Sequence, residues 1–223
     1  MTRPMRALVT GGTGKLGSAI AARLEADGYA VVAAGRADGD LSRAEDARQL
    51  VHRAVDELGG LDLVVHAASD GFAPRPVADV TEEDWDRAFG ATAKGAFFVA
   101  QSAAPHLRRS RGTVVMIEDV AGYQPWPSFA PHSAAKAAQA MLTRVLARAL
   151  APEVRVCGVA PGPVAIEPGQ EERRARETLL GRVGSPEDVA SAVSFLAAAG
   201  FVTGASLTVD GGRLLQSGSA RDA

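Results

Sequence analysis

Two ionisable side chains stand at the head of a long alanine-rich run, His132 and Lys136 in Pro131-His132-Ser133-Ala134-Ala135-Lys136. Residues four apart share one helical face, which puts the imidazole and the ammonium one turn apart. An unperturbed histidine has a pKa of about 6.5 and exchanges protons near neutrality. A neighbouring ammonium pulls an imidazole pKa down, and a carboxylate pushes it up. Asp119, thirteen positions upstream, is the candidate carboxylate. These residue types together make an acid with an orienting partner, suited to a reaction in which negative charge develops on a heteroatom. The plainer alternative is a histidine that serves only as a polar cap after Pro131.

Such groups need a frame. Apolar runs with strand character recur over 7–9, 30–34, 61–65, 113–117, 154–159 and 206–209. Helical stretches with start signals lie between most of them. Ser42 with Glu45 and Thr81 with Asp84 read as capping boxes, and Ser185 stands before Pro186 at a first helical position. Strands alternating with helices predict an α/β fold, a doubly wound parallel sheet covered by helices on both faces. One irregularity stands out: only Ala37-Asp38-Gly39 separates Arg36, after the second strand, from Asp40. A parallel crossover takes a dozen residues or more, so the sheet is predicted to be shortened after strand 2. With 223 residues and no linker, repeat or low-complexity segment, residues 1–223 are read as a single domain.

The run Thr10-Gly11-Gly12-Thr13-Gly14-Lys15-Leu16-Gly17 follows the first strand and opens a helix ending near Asp27-Gly28. Glycines there let the backbone turn tightly and approach a pyrophosphate, which sits on the amides of the helix N-terminus. The context of strand, loop, helix and second strand makes this a dinucleotide site in a Rossmann-like sheet. An NAD site usually carries Asp or Glu at the end of the second strand. Gly35-Arg36 stands there instead, and Lys15 lies inside the glycine loop. Two cations near the adenosine ribose suit a 2′-phosphate, so NADP(H) is the expected cofactor; the alternative is that Arg36 is a solvated loop residue. Asp40 and Leu41 are then placed near the adenine, unless Asp38 and Asp40 are only turn formers.

On these motifs the chain resembles the short-chain dehydrogenase/reductase family over nearly its whole length. Thr10 to Gly17 is similar to the family's Thr-Gly-x-x-x-Gly-x-Gly, with Lys15 in place of the middle glycine. Val65-His66-Ala67-Ala68-Ser69 stands where Asn-Asn-Ala-Gly follows the fourth strand, and Ala160-Pro161-Gly162-Pro163-Val164 resembles the Pro-Gly turn that contacts the nicotinamide. The segments 181–190 and 203–212 resemble the C-terminal signatures. The resemblance implies cofactor contacts at Ala67, Ala68, Pro161, Gly162, Val164 and Lys136. It also implies a catalytic set of Asn, Ser, Tyr and Lys, of which only Lys136 matches. Thr92 holds the asparagine position, Asp119 the serine position (Glu118 if the alignment slips by one) and His132 the tyrosine position. A basic residue in the glycine loop and an aspartate for the serine both resemble the pteridine reductase branch, which keeps the tyrosine.

The function expected is an NADPH-dependent reductase of a C=O or C=N bond, such as that of a ketone, cyclic imine or pterin-like ring. Alternatives are a homologue that binds NADP(H) without turnover, and a non-redox cyclase or isomerase. Substrate contacts are expected from loops at the carboxyl ends of the strands: Tyr123 and Trp126 in one, Asp70 and Phe72 in another. Tyr123 is also a candidate displaced proton donor. The stretch 166–178, rich in Glu and Arg, reads as a lid helix. His66 falls in a turn near the cofactor, while His52, His106 and Cys157 read as structural. No histidine or cysteine spacing predicts a metal site. A formal net charge of −2 gives no electrostatic case for nucleic acid or an anionic membrane. The basic cluster Arg108, Arg109 and Arg111 is read as a solvated helix end. No apolar run approaches the ~20 residues that span a bilayer, and the first strand starts too early for a signal peptide, so a cytoplasmic location is expected. The family resemblance implies a homo-oligomer, dimer or tetramer.

Overall fold

Six short runs of β-branched and small apolar residues form one parallel sheet, its four central strands largely buried and its two edge strands partly exposed. The computed structural model describes residues 3–70 and 73–216. In chain order the elements are β1 (Met5–Thr10), α1 (Lys15–Ala26), β2 (Tyr29–Ala34), α2 (Ala44–Leu58), β3 (Leu63–His66), α3 (Glu82–Phe89), α4 (Gly95–Ser110), β4 (Thr113–Ile117), α5 (Ala130–Leu150), β5 (Arg155–Pro161), α6 (Glu171–Ala175), α7 (Pro186–Ala198) and β6 (Ser206–Val209). The sheet order is β2-β1-β3-β4-β5-β6, with every neighbouring pair parallel.

Period-two alternation divides the core. Leu8, Val64, Val114, Met116 and Val156 pack under α2, α4 and α5. Ala7, Val9, Leu63, Val65, Val115, Cys157 and Val159 pack under α1 and α7. The doubly wound parallel fold is therefore as predicted, and so is its shortened edge. After β2 the chain makes one 3-10 turn and enters α2, whose return strand β3 lands beside β1, leaving β2 at the edge. Asp38 and Asp40 build that connection: Gly35 N–H donates to Asp38 Oδ2 at 2.8 Å and Ser42 N–H to Asp40 Oδ1 at 2.9 Å.

The capping boxes at Thr81 with Asp84 and at Ser185 with Asp188 are both present. The one expected at Ser42 is absent: Arg43 occupies the N-cap of α2, and Asp40 has already engaged the Ser42 amide. The predicted lid helix is reduced to the five residues of α6. Pro168 and Gly169, the latter at φ 83°, delay its start. Beyond α6 the Thr178 hydroxyl donates toward the carbonyls of Ala175 and Arg182, which turns the chain away. Among the described residues no helix is long and apolar enough to cross a membrane.

Candidate active site

The carboxyl ends of β1, β3, β4 and β5 all open to the same end of the sheet, and the residues singled out by the sequence gather there. After β1, Gly12 N–H donates to Ala34 O at the end of β2, folding the glycine loop over the strand tips. Gly11 has φ 67°, and a Cβ there would lie 2.7 Å from Ala67 O; at Gly17 a Cβ would lie 2.1 Å from Gly11 O. Only glycine lets α1 start so close to the loop. No side chain caps the N-terminus of α1, and Gly14 and Lys15 are exposed beside it. The uncapped first-turn amides and the helix dipole form an anion-binding surface. These residues fit a dinucleotide pyrophosphate.

The two cations assigned to a ribose phosphate sit on the rim, each held by a carboxylate from another segment. Lys15 Nζ is 3.3 Å from Glu167 Oε1, and Arg36 pairs with Asp70. Exposed pairs of this kind are weak, so an incoming phosphate can displace them. Asp40 is engaged in its turn, and the Leu41 side chain lies in the core. Thr13 packs on Gly35, while Leu16 and Val164 pack on the core beneath α1. Ala67 is tied by its N–H to Thr10 O at 3.1 Å, and the Ala68 N–H reaches Thr10 Oγ1 at 3.4 Å. Pro161 ends β5, and Gly162 N–H donates to Val209 O.

His66 does more than the sequence suggested. It ends β3 fully buried, with Nδ1 3.0 Å from Thr10 Oγ1 and Nε2 3.0 Å from Ala91 O. Burial is the main cause pushing its pKa down to about 4. The neutral ring therefore donates from Nε2 to Ala91 O and accepts from the Thr10 hydroxyl. It thereby ties β1 and β3 to the π-helical turn Gly90–Lys94 that carries Thr92. Thr92 is buried, its hydroxyl 3.0 Å from Ser69 Oγ.

His132 lies in the first turn of α5, 5 % exposed. Its Nε2 is 3.4 Å from Asp119 Oδ2, while Asp119 Oδ1 accepts from Ala121 N–H at 2.8 Å. Lys136 is one turn on and buried, donating to Ile117 O at 2.8 Å and to Gln139 Oε1 at 3.1 Å. Burial pushes the Lys136 pKa down, and the Asp119 and Glu118 carboxylates pull it back up. Glu118 points elsewhere. It accepts from Tyr123 Oη at 2.5 Å, Thr143 Oγ1 at 2.7 Å and Ser206 Oγ at 3.1 Å. Gly158 leaves room for it, since a Cβ there would lie 2.0 Å from Glu118 Oε1.

The Tyr123 phenol is thus turned into the protein, its pKa pushed up to about 12, first by burial and then by the Glu118 hydrogen bond. Trp126 faces a different partner: the Arg213 guanidinium lies 4.9 Å above its ring, and Arg213 also pairs with Glu177. Asp70 and His132 line one small cleft with Arg75, Asp84, Arg87 and Phe129. Phe72 lies outside the described residues. Among the described residues no group of His, Cys, Asp or Glu could hold a metal ion.

A family model described as enoyl-(acyl carrier protein) reductase matches residues 18–213. The 4-formylbenzenesulfonate dehydrogenase of Comamonas testosteroni is 37% identical, covering 93% of this chain and 96% of that protein. The chain belongs to the short-chain dehydrogenase/reductase family. Among solved structures, the 3-ketoacyl-(acyl-carrier-protein) reductase of Brucella melitensis complexed with NADH superposes with a TM-score of 0.88 at 26% identity, covering 94% of this chain and 98% of that one. A blue fluorescent protein from a metagenomic library, in complex with NADPH, superposes at 0.85 with 28% identity, covering 94% and 97%. The six-stranded parallel α/β fold is therefore that of its short-chain dehydrogenase/reductase relatives.

Three contacts of this site carried no signal in the sequence. The roles of His66 as a tie between segments, Glu118 as the Tyr123 acceptor and Arg213 over Trp126 all depend on partners brought together by the fold. Arg213 lies beyond β6, where no local pattern relates it to a loop some ninety residues earlier.

Proposed function

We propose that this protein is an NADPH-dependent reductase of a C=O or C=N bond in a small molecule, with His132 as the proton donor. The observation that carries the reading is the placement of the His132 ring against Asp119, one helical turn from Lys136, at the sheet end that also bears the glycine loop. A bound nicotinamide supplies the hydride. The chain's own residues supply the rest. The α1 amides and the glycine loop hold the pyrophosphate, and Lys15 and Arg36 exchange their carboxylate partners for the 2′-phosphate. Asp119 orients the imidazole, which gives a proton to the heteroatom as charge develops on it. Lys136, withdrawn to Ile117 O and Gln139, places a positive charge behind the site. Thr92 and Ser69 offer hydroxyls beside it. The reacting group of the substrate, a ketone, cyclic imine or pterin-like ring, is taken at the mouth of the small cleft that His132 lines with Asp70 and Phe129.

Calorimetric titration with NADPH and, separately, NADH tests the cofactor half. Tighter NADPH binding is the expected result, and no binding of either at millimolar concentration rejects the reading. Turnover on a panel of ketones, cyclic imines and pterins, comparing wild type with His132→Phe, tests the chemistry.

The withdrawn Lys136 favours one second reading, a protein that binds NADP(H) without turnover; it is distinguished by cofactor affinity with no consumption on the panel. For assembly, we infer a homo-oligomer, dimer or tetramer. Met141 and Val145 are exposed apolar neighbours on α5, and Phe195 and Leu207 are exposed on α7 and β6. Light scattering that returns a monomer rejects it.

A further inference from the structure

We propose a second ligand site, for a phosphorylated small molecule, at the end of the sheet opposite the glycine loop. A cleft of about 320 Å³ lies where β1 begins and α2 and α4 end, lined by Arg3, Arg6, Gly59, Gly60, His106 and Arg109. Its volume falls at the lower end of the range of small-ligand pockets. Three arginines line it, and the carboxylate beside them, Asp62, is already committed to Arg6 and Arg3. Asp62 accepts from Arg6 Nε at 2.8 Å and from Arg6 Nη2 at 3.1 Å, and lies 3.6 Å from Arg3 Nη2. Arg6 is thereby fixed, 7 % exposed, with Nη1 on Gly59 O at 2.6 Å. A Cβ at Gly60 would lie 2.1 Å from Arg6 Nη1, so only glycine leaves the guanidinium its place.

Helix-end arginines ordinarily serve the exposed carbonyls and the negative end of the dipole. At α4 that work is done by others. Leu107 O accepts from Gly112 N–H at 2.8 Å and from Ser110 Oγ at 3.1 Å, and Arg108 O accepts from Arg111 N–H. Arg111 itself takes the left-handed cap conformation. Arg109 is left with no hydrogen bond or ion pair among the described residues, on the wall of a cleft that is positive overall. The exposed guanidinium groups of Arg3 and Arg109, on one cleft beside the fixed Arg6, supply donors of the kind that match phosphate oxygens.

His106 reports occupancy. It lines the cleft, and burial, then Arg109 and His52, lower its pKa, with Asp56 acting the other way. Arg3 and Arg6 line the same space from the β1 side. An anion bound among these cations raises the His106 pKa. The test follows the His106 ring by NMR during titration with inorganic pyrophosphate. The expected result is a saturable rise in its pKa, with an apparent Kd weakened about tenfold or more by Arg109→Glu and unchanged by Lys15→Ala. Arg109 is exposed, so its replacement leaves the fold intact. The proposal is overturned if His106 does not respond, if the response survives Arg109→Glu, or if sodium chloride at equal ionic strength reproduces it. Nucleotide binding at the glycine loop does not enter this readout.

Discussion

The two halves of the cleft end differ in how far their residue types are dictated by the backbone. In the glycine-loop half, geometry leaves little choice: Gly11 and Gly17 lie where a Cβ would strike backbone atoms. In the β4–α5 half, Asp119 and Lys136 are tied to the backbone only through the tips of their side chains, to Ala121 N–H and Ile117 O, and no steric contact with the backbone forces the residue type at 119, 132 or 136. A fold can therefore keep its nucleotide cradle while its proton-transfer groups are exchanged. The comparison teaches that cradle and chemistry are separable, and the sharpest ways to break that claim act on one half and read both.

The largest effect is expected at His132. Loss of a general acid costs ~10²–10⁴-fold, so His132→Phe should lower kcat by that factor on any substrate found while leaving NADPH affinity within error. A fall in affinity of similar size would show that the halves are not separable. Next is Gly17→Ala. The added Cβ would sit 2.1 Å from Gly11 O, so loop or helix must shift, at a cost of about 1–3 kcal/mol. Denaturant unfolding and NADPH calorimetry should both register the change. Third are Lys15→Ala and Arg36→Ala. Each is predicted to weaken NADPH binding about tenfold, as for one charge-assisted contact, and to leave NADH unchanged. Equal losses for both nucleotides would remove these side chains from the 2′-phosphate.

The sequence made the cradle more legible than the chemistry, for a physical reason. Period-two burial and short apolar runs report local facts, so the strands at 113–117 and 206–209 were readable to the residue. The missing crossover after β2 was readable as a shortage of chain. Where partners come from distant segments, nothing local signals them. Ser42 and Glu45 have the right spacing for a cap, yet Asp40 takes the Ser42 amide first. The lid stretch has helical composition, but Pro168 and Gly169 and the Thr178 turn confine the helix to α6. His66 reads locally as a turn residue because its two hydrogen-bond partners lie on β1 and on the turn before α4. Tyr123 reads as a substrate contact because nothing local shows that its hydroxyl is taken by the buried Glu118 carboxylate.

That pair, a buried carboxylate and a partly exposed phenol, gives the smallest predicted effect and the one most specific to the proton-transfer half. The Tyr123 hydroxyl donates to Glu118, and its pKa is pushed up to about 12 from an ordinary 10.0, by burial first. The folded state therefore holds the phenol proton more tightly than the unfolded chain does. Its contribution to stability is complete below about pH 10 and is lost as pH rises toward 12. Tyr123→Phe should cost about 1 kcal/mol at pH 8, as for one hydrogen bond to a charged acceptor in a partly exposed position, and should flatten the fall in stability between pH 10 and 12. Denaturant melts of both proteins across that window check it. The acceptor keeps its Thr143 and Ser206 donors, so the variant should remain folded. If the two proteins lose stability in parallel above pH 10, the phenol is not the group that titrates, and Tyr123 is free to turn toward the cleft. It would then re-enter as a competitor to His132 for the role of acid.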